Sequence, residues 1–257
     1  MPRSPRHLQP NCCHHITLRC NNREFRLTRR ECRAILLYAI QLCQRKYRFS
    51  LYALCIMSNH IHYLLAPENP QELPKIMHWL NWYTAMCFNQ MLGRTGHFWE
   101  KRYHSVSFPM DDFRRALNTI RYIHANPKAA NIQRGFFYDF SNYGSYHRLT
   151  DDGLTEWHPA FLDLGATLED CADAYNQFCR SYRPKVKPEP KPRWGSKLLA
   201  NITPKKDSHK SKSKKTSPGQ QPLWHESTPE PSDVDRVAAK FINANRKPGA
   251  TPVDGAR

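Results

Sequence analysis

The stretch Phe49–Pro67, which reads FSLYALCIMSNHIHYLLAP, decides the fold class of this chain. Residues 49–57 and 60–66 are two short apolar runs, and the dipeptide Ser58-Asn59 between them is typical of a tight turn. Because strands joined by so short a turn pair antiparallel, the stretch predicts a β-hairpin.

Further elements are predicted on both sides of this hairpin. Residues 12–20 and 105–109 are short runs typical of strands. Helical spacing of apolar residues predicts three long helices: one after a capping box of Thr28 and Glu31, one from about Leu73 to Leu92, and one from Asp111-Asp112 to Asn126, before Pro127. The order of these elements predicts an α+β fold, an antiparallel sheet with helices on one face.

His60 and His62 are the first candidates for a functional site. Alternate residues of a strand project from the same face, so the two imidazoles lie about 7 Å apart at the backbone and can converge on one metal ion. Ile61 and Tyr63 supply the opposite, apolar face. Ordinary sheet-face histidines are the competing interpretation, and the spacing alone does not decide between the two.

The third helix adds a tyrosine and an amide. Phe113 and Ile120 lie on its apolar stripe, whereas Tyr122 lies about 180° from Phe113 at 100° per residue. Asn126 follows Tyr122 by one helical turn, so the two side chains meet on the face away from the stripe. An exposed aromatic with no function is the alternative for Tyr122.

Together these residue types suit phosphodiester chemistry. A metal held by two imidazoles and one amide oxygen keeps positions that phosphate oxygens and water can fill. A tyrosine hydroxyl beside it can attack phosphorus and form a covalent phosphotyrosine, which stores the bond energy for strand rejoining. Arg115, on the polar face of the same helix, would help to supply the phenolate.

The composition is that of a strongly basic chain. The 257 residues include 39 Lys and Arg against 22 Asp and Glu, a formal charge of +17. No apolar run approaches the roughly 20 residues that span a bilayer, and Arg3 and Arg6 precede no signal-peptide core. Nine cysteines without a CxxC pair argue against a disulfide framework. We therefore expect a soluble cytoplasmic protein with no membrane partner.

Three regions are predicted along the chain. Residues 1–135 contain the sheet and the candidate site, and residues 136–182, rich in aromatic residues, form an accessory helical cap. Residues 183–257 hold 17 Lys and Arg against 7 Asp and Glu, and 11 of the 20 prolines. Such a composition buries too little apolar surface to offset chain entropy, so a disordered basic tail is expected.

Several of these stretches, taken in order, resemble the HUH endonucleases with a single catalytic tyrosine. The nearest resemblance is to the REP-associated tyrosine transposases, relatives of the IS200/IS605 transposases, over about residues 1–150. The matching stretches are Met57-Ser-Asn-His-Ile-His62, Tyr122-Ile-His-Ala-Asn-Pro127, Pro2-Arg-Ser-Pro-Arg6, His14-His-Ile-Thr-Leu-Arg19 and Gly96-His-Phe-Trp-Glu-Lys-Arg-Tyr-His104.

This resemblance implies a ferredoxin-like core and a set of roles. His60, His62 and Asn126 would bind Mg²⁺ or Mn²⁺, and Tyr122 would be the nucleophile. The implied reaction cleaves single-stranded DNA beside hairpin or palindromic repeats to a 5′-phosphotyrosine and a free 3′-OH, followed by strand transfer. The protein would be nucleoid-associated and act as a monomer or homodimer.

Cations and an aromatic ring are the predicted DNA contacts. Lys101 and Arg102 lie beside Trp99, and interleaved cations and aromatics suit single-stranded DNA. For Trp99, packing of the loop is an equal alternative. The full predicted set is Arg3, Arg6, Arg19, Trp99, Lys101, Arg102 and Arg115.

Other assignments compete with this one. Tyr103 is a rival nucleophile, although it lacks a helical Asn partner. The run from Cys12 to His15 has the composition of a zinc site, but consecutive strand residues point to opposite faces. A non-catalytic single-stranded nucleic-acid binding or regulatory protein on the same scaffold is the main functional alternative. A metal phosphodiesterase that uses water is another.

Overall fold

A four-stranded antiparallel sheet forms the centre of the described part of the chain. The computed structural model describes residues 8–184 and 230–251. The strands are β1 (Cys12–Arg19), β2 (Phe49–Ile56), β3 (His60–Pro67) and β4 (His104–Pro109), in the order β2-β3-β1-β4. The predicted hairpin is confirmed, and the strand order is that of the ferredoxin-like core which the resemblance implies.

Helices surround this sheet. They are α1 (Arg30–Lys46), α2 (Leu73–Met91), α3 (Phe113–Ala129), α4 (Tyr143–Arg148), α5 (Pro159–Leu162), α6 (Leu168–Arg180) and α7 (Pro231–Asn245). No helix within residues 8–184 and 230–251 has the length and apolar character needed to span a membrane.

The two faces of the sheet have different neighbours. Burial raises the pKa of Tyr63, and the Cys43 thiol of α1 adds to this effect, which means that Cys43 lies near Tyr63. Helix α1 therefore covers the face of the sheet that carries Tyr63. The Cys43 thiol in turn contacts the carbonyl of Ile76 in α2, at 3.9 Å. His62 projects from the other face, where its ring meets Tyr122 of α3. Of the three long helices predicted from the sequence, α1 and α2 therefore lie on one face of the sheet, and α3 lies on the opposite face.

Two predicted helix ends differ from the structure. Arg29 is the N-cap of α1 and makes no side-chain cap, while the Thr28 hydroxyl donates to the Phe25 carbonyl, so the predicted capping box does not form. Helix α3 continues past Pro127 to Ala129. Proline lacks the N–H that would bond the Ile123 carbonyl, and the Asn126 side-chain amide reaches that carbonyl instead, at 3.4 Å.

The segment after α3 covers the free edge of β2. The Asn142 side chain accepts a hydrogen bond from the Leu54 amide at 2.9 Å and donates to the Tyr52 carbonyl at 3.0 Å. Ile56 donates its amide to the carbonyl of Phe140. These bonds satisfy backbone groups that an edge strand would otherwise expose.

The prediction of disorder throughout residues 183–257 is wrong for residues 231–245, which form α7. Its buried side chains recur at helical spacing and are Val234, Val237, Ala238, Phe241 and Ile242. Averaging the composition over the whole tail concealed this apolar stripe. Residues 185–229 and 252–257 lie outside the described residues.

Polar contacts fix α7 against α4 and the loop that follows it. The Asn245 side chain accepts from the Ser145 amide at 2.7 Å and donates to Asp152 at 3.2 Å. A Cβ on Gly144 would lie 2.3 Å from the Cα of Asn245, so only glycine permits this approach. Arg246 forms an ion pair with Asp139 at 2.7 Å, and α7 is thereby part of the folded domain.

Candidate active site

His60 and His62 lie side by side at the start of β3. Their ring centroids are 5.0 Å apart, with planes at 80°. His60 Nδ1 contacts the side-chain oxygen of Asn59 at 2.7 Å, which orients the His60 ring. His62 is only 4% exposed. The strand alternation predicted from the sequence thus brings the two imidazoles together.

His15 joins this pair, although the sequence-based predictions did not include it. Its Nε2 lies 3.1 Å from His62 Nδ1, and the Thr17 hydroxyl lies 3.2 Å from the same nitrogen. Thr17 stands opposite His62 in the β1–β3 pair, so His15, two residues earlier, shares its face. Finding His15 from the sequence would have required the register of this pair, which the local pattern does not contain.

Tyr122 approaches the histidines from α3. The side chain is 47% exposed, and its ring centroid lies 5.7 Å from the rings of both His15 and His62. The rival Tyr103 is buried and lines a different cleft. The structure therefore brings Tyr122 and His62 together as the sequence predicted.

Burial controls the protonation of His62 and His15. Desolvation, followed by the charges of His60, His15 and Arg19, holds the pKa of His62 well below its usual 6.5. Burial also lowers the pKa of His15 to about 4. Both rings are therefore neutral near pH 7, which is the form that can bind a metal.

The Tyr122 hydroxyl is protonated at neutral pH. Burial, with a contribution from Tyr182, raises its pKa above 10, while the charge of Arg19 lowers it. The cation expected from the sequence to assist Tyr122 was Arg115, whose guanidinium instead lies 5.1 Å from the centroid of the Phe108 ring. Within residues 8–184 and 230–251, the cation whose charge lowers the pKa of Tyr122 is Arg19, at the end of β1.

Asn126 is held by its amide nitrogen. Nδ2 donates to the Tyr122 carbonyl at 2.8 Å and to the Ile123 carbonyl at 3.4 Å. In residues 8–184 and 230–251, its Oδ1 accepts no hydrogen bond. The same residues contain no cluster of three or more His, Cys, Asp or Glu placed to hold a metal. The donor set predicted from the sequence, two imidazoles and one amide oxygen, is of a kind that leaves a divalent cation with open positions.

An open cleft of about 710 Å³ adjoins Tyr122 between β4 and α3. Its walls carry cationic, hydroxyl and amide groups, which are the types that bind a DNA backbone. They include His104, Arg114, Arg115, Asn118 and Thr119.

The remaining predicted DNA contacts are distributed unevenly. Arg3 and Arg6 lie outside the described residues. Lys101 and Arg102 are exposed in the loop before β4. Trp99 is 8% exposed, and its indole N–H contacts the Asn81 carbonyl and the Thr84 hydroxyl, both at 3.1 Å. Trp99 therefore packs the loop, the alternative to base stacking.

Comparison with known proteins matches part of the sequence to a family and finds similar solved structures. The sequence model of the family described as transposase IS200 like matches residues 9–126, which include His60, His62, Tyr122 and Asn126. A solved structure of a REP-associated tyrosine transposase bound to a REP hairpin is 18% identical, with a TM-score of 0.48, over 61% of this chain and 98% of that chain. No curated protein matches the sequence.

Proposed function

Residues 9–126 belong to the family of IS200-like transposases, and from this premise we propose that the chain is a metal-dependent single-stranded DNA endonuclease and strand transferase. The observation that carries the proposal is the placement of a half-exposed tyrosine 5.7 Å, between ring centroids, from His62 on the facing strand. We assign the chemistry to residues 1–135 and a supporting role to residues 136–182.

Tyr122 is the proposed nucleophile. Its Oη forms a bond to the scissile phosphorus while the bond from phosphorus to the 3′ oxygen breaks. The phenolic proton leaves to solvent, and the departing 3′ oxygen takes up a proton as a free 3′-OH. The product is a 5′-phosphotyrosine, and attack by another 3′-OH reverses the step and joins two strands.

His60 and His62, with Oδ1 of Asn126, are the proposed holders of a divalent cation, Mg²⁺ or Mn²⁺. When bound, such a cation supplies Lewis-acid stabilisation of charge on the phosphate oxygens. Asn59 orients the His60 ring, and His15 with Thr17 orients the His62 ring. Ligand rings held in this way keep one tautomer and one direction.

The proposed substrate is single-stranded DNA next to a hairpin-forming repeat. The formal charge of +17 favours an anionic polymer. Arg19 and Arg115 are the proposed phosphate contacts nearest Tyr122, because Arg19 acts on its pKa and Arg115 lines the adjoining cleft.

A gel assay of covalent attachment tests the proposal. A 3′-labelled oligonucleotide that folds into a hairpin with unpaired flanks is incubated with Mg²⁺ or Mn²⁺ and run under denaturing conditions. The wild type should form a labelled protein adduct, Tyr122→Phe should form none, and the matched control Tyr103→Phe should retain it. Cleavage without any adduct would favour a phosphodiesterase that uses water, and binding without cleavage would favour a non-catalytic binding protein.

A further inference from the structure

A second cleft lies between α2 and residues 96–103, with a volume of about 820 Å³. We call it the Trp82 cleft. It shares no lining residue with the cleft beside Tyr122 among the described residues. The lining side chains used below are His78, Trp82, His97, Trp99, Lys101 and Arg102.

Trp82 is the aromatic residue of this cleft that can meet a ligand. It is half-buried, and its ring packs edge-on against Tyr83 at 6.3 Å between centroids. Trp99, by contrast, is buried with its indole N–H bonded to α2. Trp99 thus serves as a wall, and Trp82 presents the remaining indole surface to the opening.

The charge at the mouth of the cleft favours an anion. Lys101 and Arg102 are both exposed, and neither forms an ion pair with any residue in the described ranges. His78 and His97 are also exposed there. Glu100 is the one carboxylate that lines the cleft among the described residues. Permanent cations beside an accessible indole suit a nucleotide, whose base stacks while its phosphate is neutralised.

The cleft is connected to the candidate active site through Arg19. Glu100 donates its amide to the Arg19 carbonyl at 2.9 Å, and the amide of Asn21 bonds the Phe98 carbonyl at 2.8 Å. Arg19 stands opposite His60 in the β1–β3 pair. The backbone on one side of the cleft is therefore bonded to the end of β1, next to the start of β3 where His60 lies.

We propose that the Trp82 cleft binds an unpaired nucleotide of the DNA strand that is cut at Tyr122, with its base on Trp82 and its backbone at Lys101 and Arg102. The inference rests on the proposed function, because it names part of that substrate. It also replaces Trp99 by Trp82 as the stacking residue of this region.

Binding measured without chemistry tests the proposal separately from catalysis. In the Tyr122→Phe background, fluorescence anisotropy compares a hairpin carrying an unpaired flank with the same hairpin lacking it. Trp82→Leu, which keeps apolar bulk, should weaken binding of the flanked hairpin about tenfold and leave the blunt hairpin unchanged. Trp82→Phe should restore most of the affinity, and an abasic nucleotide at one flank position should give the same loss without adding to that of Trp82→Leu.

Variants at the two exposed cations test the same cleft without changing the packing of Trp82. Lys101→Ala and Arg102→Ala should each reduce the salt dependence of binding by about one counterion, whereas Arg45→Ala, an exposed cation on α1, should not. Unchanged binding in Trp82→Leu, or an equal loss for the blunt hairpin, would overturn the proposal. Covalent adduct formation by Trp82→Leu with Tyr122 intact, at saturating DNA, reports separately on the proposed chemistry.

Discussion

His62 and His124 are both buried histidines, yet their surroundings differ. His124 Nδ1 lies 2.8 Å from the Tyr175 hydroxyl, and Nε2 lies 2.8 Å from Asn142 Oδ1, so both ring nitrogens are used inside the domain. His62 instead meets His15 through Nδ1, and its ring faces the half-exposed Tyr122. Burial alone therefore does not separate His62, the proposed cation ligand, from His124, whereas the exposure of the ring beside His62 does.

Exchanging the two histidines for alanine should give opposite results. His62→Ala should lower DNA cleavage more than about 100-fold, because the proposed cation loses one of two imidazoles, and should lower the free energy of unfolding less than His124→Ala does. His124→Ala should retain cleavage at low temperature but lower the free energy of unfolding by about 3 kcal/mol, because Asn142 and Tyr175 lose a buried partner. Cleavage gels and denaturant unfolding of both variants measure this. Loss of cleavage in a fully folded His124→Ala variant would mean that His124 is not merely structural, which would contradict the contrast with His62.

The C-terminal helix extends the comparison, because α7 packs on α4, whose Tyr146 ring lies 5.3 Å from His124. Phe241 is fully buried, and Phe241→Ala should lower the free energy of unfolding by about 3–5 kcal/mol. Arg236→Ala, an exposed change on the same helix, should stay within about 0.5 kcal/mol of the wild type. Equal unfolding midpoints for the two variants would mean that α7 does not stabilise the domain.

Substitution of His15 tests whether metal binding at His60 and His62 depends on neighbouring side chains. His15→Ala should weaken Mn²⁺ binding about 10- to 100-fold by removing the partner of His62 Nδ1. His15→Gln, which retains a hydrogen-bonding group, should recover part of that loss. Isothermal titration with Mn²⁺ alone gives the affinity without DNA or turnover. An unchanged dissociation constant in His15→Ala would remove His15 from the site.

The stability of the folded domain should also depend on pH, because His158 is buried. Burial lowers the pKa of His158 to about 4, and its Nδ1 accepts a hydrogen bond from the Ala160 amide. Below pH 6.5 the unfolded chain binds a proton that the folded chain does not, so the unfolding free energy falls toward pH 4 by up to about 1.4 kcal/mol per pH unit. His158→Asn should reduce this slope by about one proton, and exposed His78→Asn should not. Urea unfolding between pH 4 and 7 measures the slopes.

Much of the site could be predicted from local periodicity. The period of two in β3 places His60 and His62 together, and the helical period of α3 separates Tyr122 from the buried side. His15 could not be found in this way, because its position depends on the pairing of β1 with β3. The choice between Trp99 and Trp82 depends on how a loop packs against α2, which no local pattern records.

The residue that becomes attached to DNA tests the central claim most directly. The wild type is incubated with a hairpin-forming single-stranded oligonucleotide and divalent metal, treated with nuclease, digested with trypsin and analysed by mass spectrometry. Cleavage after Lys and Arg releases residues 122–128 and residues 103–114 as separate peptides, each with one tyrosine. We predict that Tyr122, in the first peptide, carries a nucleotide linked through its 5′ phosphate. The same mass on Tyr103, or cleavage that leaves both tyrosines unmodified, would contradict the account.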